Sequence, residues 1–140
     1  MLWRLANGEF EGVAPKVVVL MVGTNNITLN TSDEIAAGVE AICASIHERS
    51  PTTKILLLAI FPRGQKPDAT RGNVDDVNRR IAKLDNRDYV TFQDIGAKFL
   101  EPDGSISTEV MYDYLHPTAK GYAIWSAAMA PLLDRLLTGR

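Results

Sequence analysis

Two short segments carry residue types that hydrolysis uses. In Asp113-Tyr114-Leu115-His116-Pro117 a carboxylate and an imidazole stand two residues apart. Pro117 biases His116 out of the helical backbone region, so one compact loop can bring the Asp113 carboxylate to His116 Nδ1. That contact would fix the imidazole tautomer and leave Nε2 free as a general base. The plain alternative is a turn aspartate followed by a histidine that caps a helix beginning near Thr118. The second segment is Gly23-Thr24-Asn25-Asn26, directly after an apolar run. An asparagine just past a strand can present its amide NH2 to an oxyanion, although a turn or capping role is the default there.

The elements that must position these residues follow from hydrophobic period. Lys16 to Val22 is a continuous β-branched and apolar run between Pro15 and Gly23, the pattern of a strand buried on both faces of a parallel sheet. Thr31 with Glu34 forms a capping box, and Ile35, Val39, Ile42 and Ile46 continue at helical spacing until Ser50-Pro51. Lys54 to Ile60 repeats the buried-strand pattern; a Gly- and Pro-containing loop runs from Phe61 to Gly72; Val74, Val77, Ile81 and Leu84 mark a second helix. Tyr89 to Asp94 reads as a short third strand and Pro102-Asp103-Gly104 as a turn. Ala119 to Leu137 reads as a terminal helix interrupted by Pro131. Strands alternating with helices imply βαβ crossovers and an α/β sandwich around a parallel sheet. In such sheets the ligand crevice lies at the carboxyl ends of the strands. Gly23 to Asn26, Phe61 to Gly64 and the segment after the third strand all leave from that edge. Gly23, Asn26 and Arg63 therefore border the expected pocket; Arg63 and Lys66 could shape an acyl or leaving-group pocket but read first as solvated loop charges.

With 140 residues, 46% of them hydrophobic, the chain suits one globular domain, 1–140. A net charge of -2 leaves no basic surface for nucleic acid, and the longest apolar runs are too short for a membrane span. The lone Cys43 cannot form an internal disulfide and lies in a helical pattern, which favours a packing role and a reducing, cytoplasmic setting. The start, MLWRLANGEF, lacks the apolar stretch and cleavage site of a secretory signal and reads as a last helical turn ending at Asn7-Gly8. Trp3, Trp125 and the four methionines read as packing residues and His47 as a surface residue. The histidines lack metal-ligand spacing, and no phosphate-binding glycine motif follows the first strand, so neither metal nor nucleotide cofactor is expected.

The stretches LWRLANGE, VVLMVGTNN, LLLAIFPRGQKP, the turn Asp103 to Ser107 and MYDYLHPTAKGY together resemble the SGNH, or GDSL-type, hydrolase family. The resemblance extends over essentially the whole chain and implies a flavodoxin-like, three-layer fold and the hydrolysis of small-molecule carboxylic esters. It implies an oxyanion-hole role for Asn25 and a general-base role for His116 supported by Asp113. The family's Gly-Asp-Ser block, which carries the nucleophile, and its second block, whose glycine donates a backbone N–H to the oxyanion, have no counterpart here. The resemblance thus implies a domain truncated at its amino end, without the first two strands. Three readings follow: an esterase with a replacement nucleophile, either water or a hydroxyl such as Thr24, Ser105 or Ser107 from its own or a partner chain; a non-catalytic scaffold or self-associating binding module; or a half-enzyme completed by another chain. The same truncation would leave the strand Lys16–Val22 as an unpaired apolar edge, which predicts a homodimer or higher oligomer through that strand.

Overall fold

The computed structural model describes residues 1–139. Its helices are α1 (Leu2–Ala6), α2 (Ser32–Arg49), α3 (Ala69–Ile81) and α4 (Ala119–Thr138); its strands are β1 (Val17–Leu20), β2 (Lys54–Leu58) and β3 (Val90–Gln93). The strands form one parallel sheet in the order β1-β2-β3, with Val18 opposite Ile55 and Ile55 opposite Val90. Helices pack on both faces. On one, Ile35, Val39, Ile42 and Ile46 of α2 and Val74, Val77 and Ile81 of α3 enclose Leu20, Ile55 and Leu57. On the other, Phe61, Ile95, Phe99, Ile106 and Met111 pack with Ile124, Trp125 and Ala128 of α4. The expected α/β sandwich is therefore the observed architecture.

The sheet edges explain where the elements depart from the expected bounds. β2 ends at Leu58 rather than Ile60, because the Asn78 side chain of α3 replaces the ladder at Ile60. Its Oδ1 accepts from Ile60 N at 2.8 Å and its Nδ2 donates to the Ile60 carbonyl at 2.9 Å. β1 ends at Leu20, two residues before the expected Val22, and β3 loses one expected residue at each end. Among the described residues β1 pairs only with β2, so it is an edge strand; Val19 is 37% exposed and Val17 and Val18 are half-buried.

The helices follow their caps. The Thr31 and Glu34 box is formed in both directions at the start of α2, as expected. Leu84 lies not on α3 but in the following 3₁₀ turn Ala82–Asn86, still buried. Pro131 does not interrupt α4, which runs unbroken from Ala119 to Thr138. A proline costs the helix one hydrogen bond, here at the carbonyl of Ala127; Ala127 and Pro131 are both exposed, so water can satisfy that carbonyl. Two packing expectations fail, at Met1 and Trp3; Met1 is 46% exposed. Trp3 is 74% exposed because α1 buries only Leu5. His47, expected at the surface, is half-buried: its ring stacks on Tyr89 at 3.9 Å, and its Nδ1 is buried with no hydrogen-bond partner among the described residues. Trp125 meets Phe61 edge-on at 4.7 Å, and Met111 is fully buried. Cys43 is also buried, and desolvation pushes its thiol up to about 11. No helix among the described residues is long and apolar enough to cross a membrane.

Candidate active site

The dyad loop is built by a tight turn just before α4. Asp113 Oδ1 accepts the backbone N–H of His116 at 2.7 Å and of Leu115 at 3.1 Å, closing an Asx turn on itself. The same carboxylate presents Oδ2 to His116 Nδ1 at 2.7 Å. To make this turn Tyr114 adopts a left-handed backbone with φ of 62°, a conformation costly for a bulky side chain. The His116 backbone N–H, then its ring, then the Leu115 N–H hold the Asp113 carboxyl down at about 2. The carboxylate is thus ionised at neutral pH and poised to steady an imidazolium. The His116 side chain is 61% exposed, and Tyr112 lies nearly parallel to the ring at 5.9 Å.

α4 fixes the height of this loop. Thr118 caps the helix by accepting Gly121 N–H, and its hydroxyl donates to the Glu109 carbonyl at 2.5 Å. Its backbone N–H donates to Val110, and Met111 bridges to Pro117. Gly121 is the close-approach residue: a Cβ there would stand 2.3 Å from the Val110 carbonyl oxygen.

The second part of the site is the 3₁₀ turn Thr24–Asn26 after β1. Gly23 enters it with φ of +118°, and a Cβ would collide with Ile60 Cδ1 at 2.8 Å. Only glycine fits there. Asn26 commits its amide to Asn30 Oδ1 at 3.0 Å, whereas the exposed Asn25 side chain makes no hydrogen bond among the described residues. Of the two asparagines, Asn25 has the free NH2.

Arg63 joins the two parts. Its Nη1 donates to the Thr24 carbonyl at 2.8 Å, and the adjacent Gly64 N–H donates to the Tyr114 carbonyl at 3.0 Å. A cleft of about 310 Å³ accordingly brings Thr28, Arg63 and Gly64 against Asp113, Tyr114 and Leu115. A separate open groove of about 520 Å³ runs along Met21 to Asn26 and the α2 residues Ile35, Val39 and Ile42. The three hydroxyls considered as nucleophiles are engaged locally: Ser105 Oγ donates to Asp103 Oδ1 at 2.6 Å, Ser107 Oγ accepts Glu109 N–H, and Thr24 Oγ1 faces Arg63. None of them bonds His116. Lys66 is exposed, as a solvated loop charge is.

Sequence reading passed over Arg71, Asn78 and Gly121. A signal existed for Arg71, which precedes Val74 by three residues and so lies on the apolar face of α3; an arginine there needs buried partners. Gly121 carried no signal of its own, since its need for close approach depends on a contact made across the loop.

Helices on both faces of a parallel sheet, with a carboxylate-backed imidazole beyond the strands' carboxyl ends, make a scaffold suited to hydrolysis. The chain belongs to the GDSL-like lipase/acylhydrolase family, whose model matches residues 2–124. It is 43% identical over 138 residues to the platelet-activating factor acetylhydrolase IB subunit alpha2 of Rattus norvegicus, covering 98% of this chain and 60% of that one. It is 41% identical to subunit alpha1 of Bos taurus, covering 99% of this chain and 60% of the other. The chain thus spans about three-fifths of the length of these curated relatives. In fold it matches a GDSL-like lipase from Bacteroides thetaiotaomicron with a TM-score of 0.76 at 18% identity, over 96% of this chain and 69% of that one.

Proposed function

We propose that this chain carries the base and the oxyanion side of a carboxylic ester hydrolase acting on small acyl esters. The observation that carries this reading is the Asp113–His116 pair, with Nδ1 held by the carboxylate at 2.7 Å and the ring otherwise open to solvent. In the reaction His116 Nε2 takes the proton of the attacking hydroxyl and returns it to the leaving alcohol. Asp113 steadies the imidazolium between these steps, and the free Asn25 amide donates to the tetrahedral oxyanion. Gly23 and Asn26 line the groove beside Asn25, and Arg63 lines the cleft beside Asp113. The names of the curated relatives support an acetyl-sized acyl group.

The nucleophile is the open part of the site. Because none of Thr24, Ser105 and Ser107 bonds His116, we assign the attacking hydroxyl to a second chain that completes the site, with water activated by His116 as the second reading. The edge of β1 that has no strand partner among the described residues, with Val19 37% exposed on it, is the surface we assign to self-association. The single buried thiol suits a reducing, cytoplasmic setting.

An organophosphonate probe combined with p-nitrophenyl acetate turnover tests this reading. His116-dependent labelling of one serine or threonine establishes a nucleophile in the assembly tested. Turnover without labelling points to water activated by His116. Turnover that is equal in wild type and His116→Ala overturns the assignment of the dyad, and neither labelling nor turnover, with the chain alone or with a completing chain added, leaves a non-catalytic scaffold.

A further inference from the structure

The one buried arginine on α3 has no catalytic place in the reading above, yet it touches everything that joins the two halves of the site. Arg71 is 6% exposed and forms no ion pair among the described residues. Its guanidinium instead donates to three backbone carbonyls: from Nε to Arg63 at 3.2 Å, from Nη2 to Gly64 at 2.6 Å, and from Nη1 to Gly104 at 2.5 Å. Burying an unpaired guanidinium is costly, and a planar fork of donors is the geometry that offsets that cost by gripping several carbonyls at once. The grip is local as well, since Arg71 N–H is capped by Asp68 Oδ1 at 2.8 Å.

What the grip holds is the strap Arg63-Gly64. From the strap one bond leads to each half of the site: the Arg63 side chain reaches the Thr24 carbonyl beside Asn25, and the Gly64 N–H reaches the Tyr114 carbonyl inside the dyad loop. The next residue, Gln65, accepts Ile106 N–H through its carbonyl at 2.9 Å, which ties the strap to the Gly104 turn that Arg71 also holds. We propose that Arg71 is a positioning residue which, through the Arg63-Gly64 strap, sets the spacing between the Asn25 oxyanion turn and the Asp113–His116 dyad. The inference rests on the esterase reading for the meaning of that spacing but not for the coupling itself. Arg63 is the reporter arm to Asn25, and Gly64 is the arm to His116.

Amide NMR on the ¹⁵N-labelled chain tests the coupling without requiring turnover. Arg63→Met should shift the Thr24 to Asn26 amides and the Asn25 side-chain NH2 while leaving the Tyr114 amide in place. Arg71→Met should shift both groups and speed exchange of the Gly64 amide by roughly tenfold or more, with Arg71→Lys recovering part of the loss. The half-buried Arg63 and the conservative Arg71→Lys keep the test open should Arg71→Met fail to fold. Unmoved Asn25 signals in Arg63→Met, or Arg71→Lys shifts confined to the Gly104 turn, would overturn the proposal. Where the wild type turns over an ester, Arg71→Lys should lower kcat several-fold with little change in KM; an effect confined to KM also overturns it. A wild type without turnover leaves the coupling test intact, since the NMR pattern decides the coupling by itself.

Discussion

At Asp113, electrostatics and backbone geometry come from the same three donors, so acidity reports on the loop. The carboxyl is lowered from 3.8 to about 2, the largest cause being the backbone N–H of His116 and the second its side chain. A carboxyl depressed in the folded state contributes stability that is present above its unfolded value and is lost as pH falls through the folded one. The dyad loop should therefore loosen as pH drops from about 4 to about 2, a window that carboxyl-carbon NMR resolves. Since the backbone donor ranks first, His116→Ala should raise the Asp113 midpoint only part of the way back. A full return to 3.8 would show that the ring, not the turn, carries the shift. Asn25 offers a second check: with its amide free, Asn25→Ala should lower kcat by about 10²–10³ wherever turnover is measured, the range for loss of one oxyanion donor. Asn26→Ala should cost far less, because its amide already serves Asn30.

Two glycines govern the elements that carry the site. At Gly121 a methyl group would enter the Val110 carbonyl, which belongs to a residue buried in the core and cannot retreat far. Gly121→Ala should lift the first turn of α4 from the dyad loop and destabilise the protein by about 1–3 kcal/mol, the range for overpacking, read as a lower midpoint in urea. Gly23→Ala combines a φ of +118° with overlap on Ile60 and Ile35, so its cost should be at least as large and should reach the Asn25 turn first. An unchanged urea midpoint in either variant would mean that these contacts relax at no cost. Pro131 is the opposite case. The Ala127 carbonyl it frees belongs to an exposed residue, so water offsets part of the lost bond and Pro131→Ala should stabilise the helix by up to about 3 kcal/mol, read as a higher urea midpoint, without altering the site.

For the whole molecule the open question is the β1 edge. Among the described residues β1 has one neighbour, which leaves a row of its backbone groups unpaired, and Val19 stands exposed on it. Val19 is 37% exposed, so covering what remains of it yields about 0.5–1 kcal/mol, to which the pairing of the free backbone groups adds. The protein should sediment as a dimer or larger at micromolar concentration, and Val19→Lys should shift it towards monomer, because an edge lysine blocks pairing. A monodisperse wild-type monomer would remove self-association from the functional reading. Dimerisation insensitive to Val19→Lys would move the interface elsewhere.

The sequence by itself determined what depends on neighbours in the chain. The capping box at Thr31, the helical stripe from Ile35 to Ile46, the continuous apolar runs of β1 and β2 and the compact Asp113 to His116 turn are all local, and each was legible as residue spacing. Their assembly into a parallel α/β sandwich followed from strand and helix alternation. Only the tertiary structure decided the contacts between distant segments: Asn78 peeling Ile60 from the ladder, Tyr89 covering His47, Trp3 left in solvent, and Arg71 gripping carbonyls at 63, 64 and 104. It also decided that Pro131 stays within a helix, since a proline interrupts where the freed carbonyl is buried and is tolerated where water reaches it. The physical reason is common to these cases. Periodicity records which face of an element avoids water, whereas the partner of a buried polar group is fixed by where the chain has brought another segment, and that is not written in local spacing.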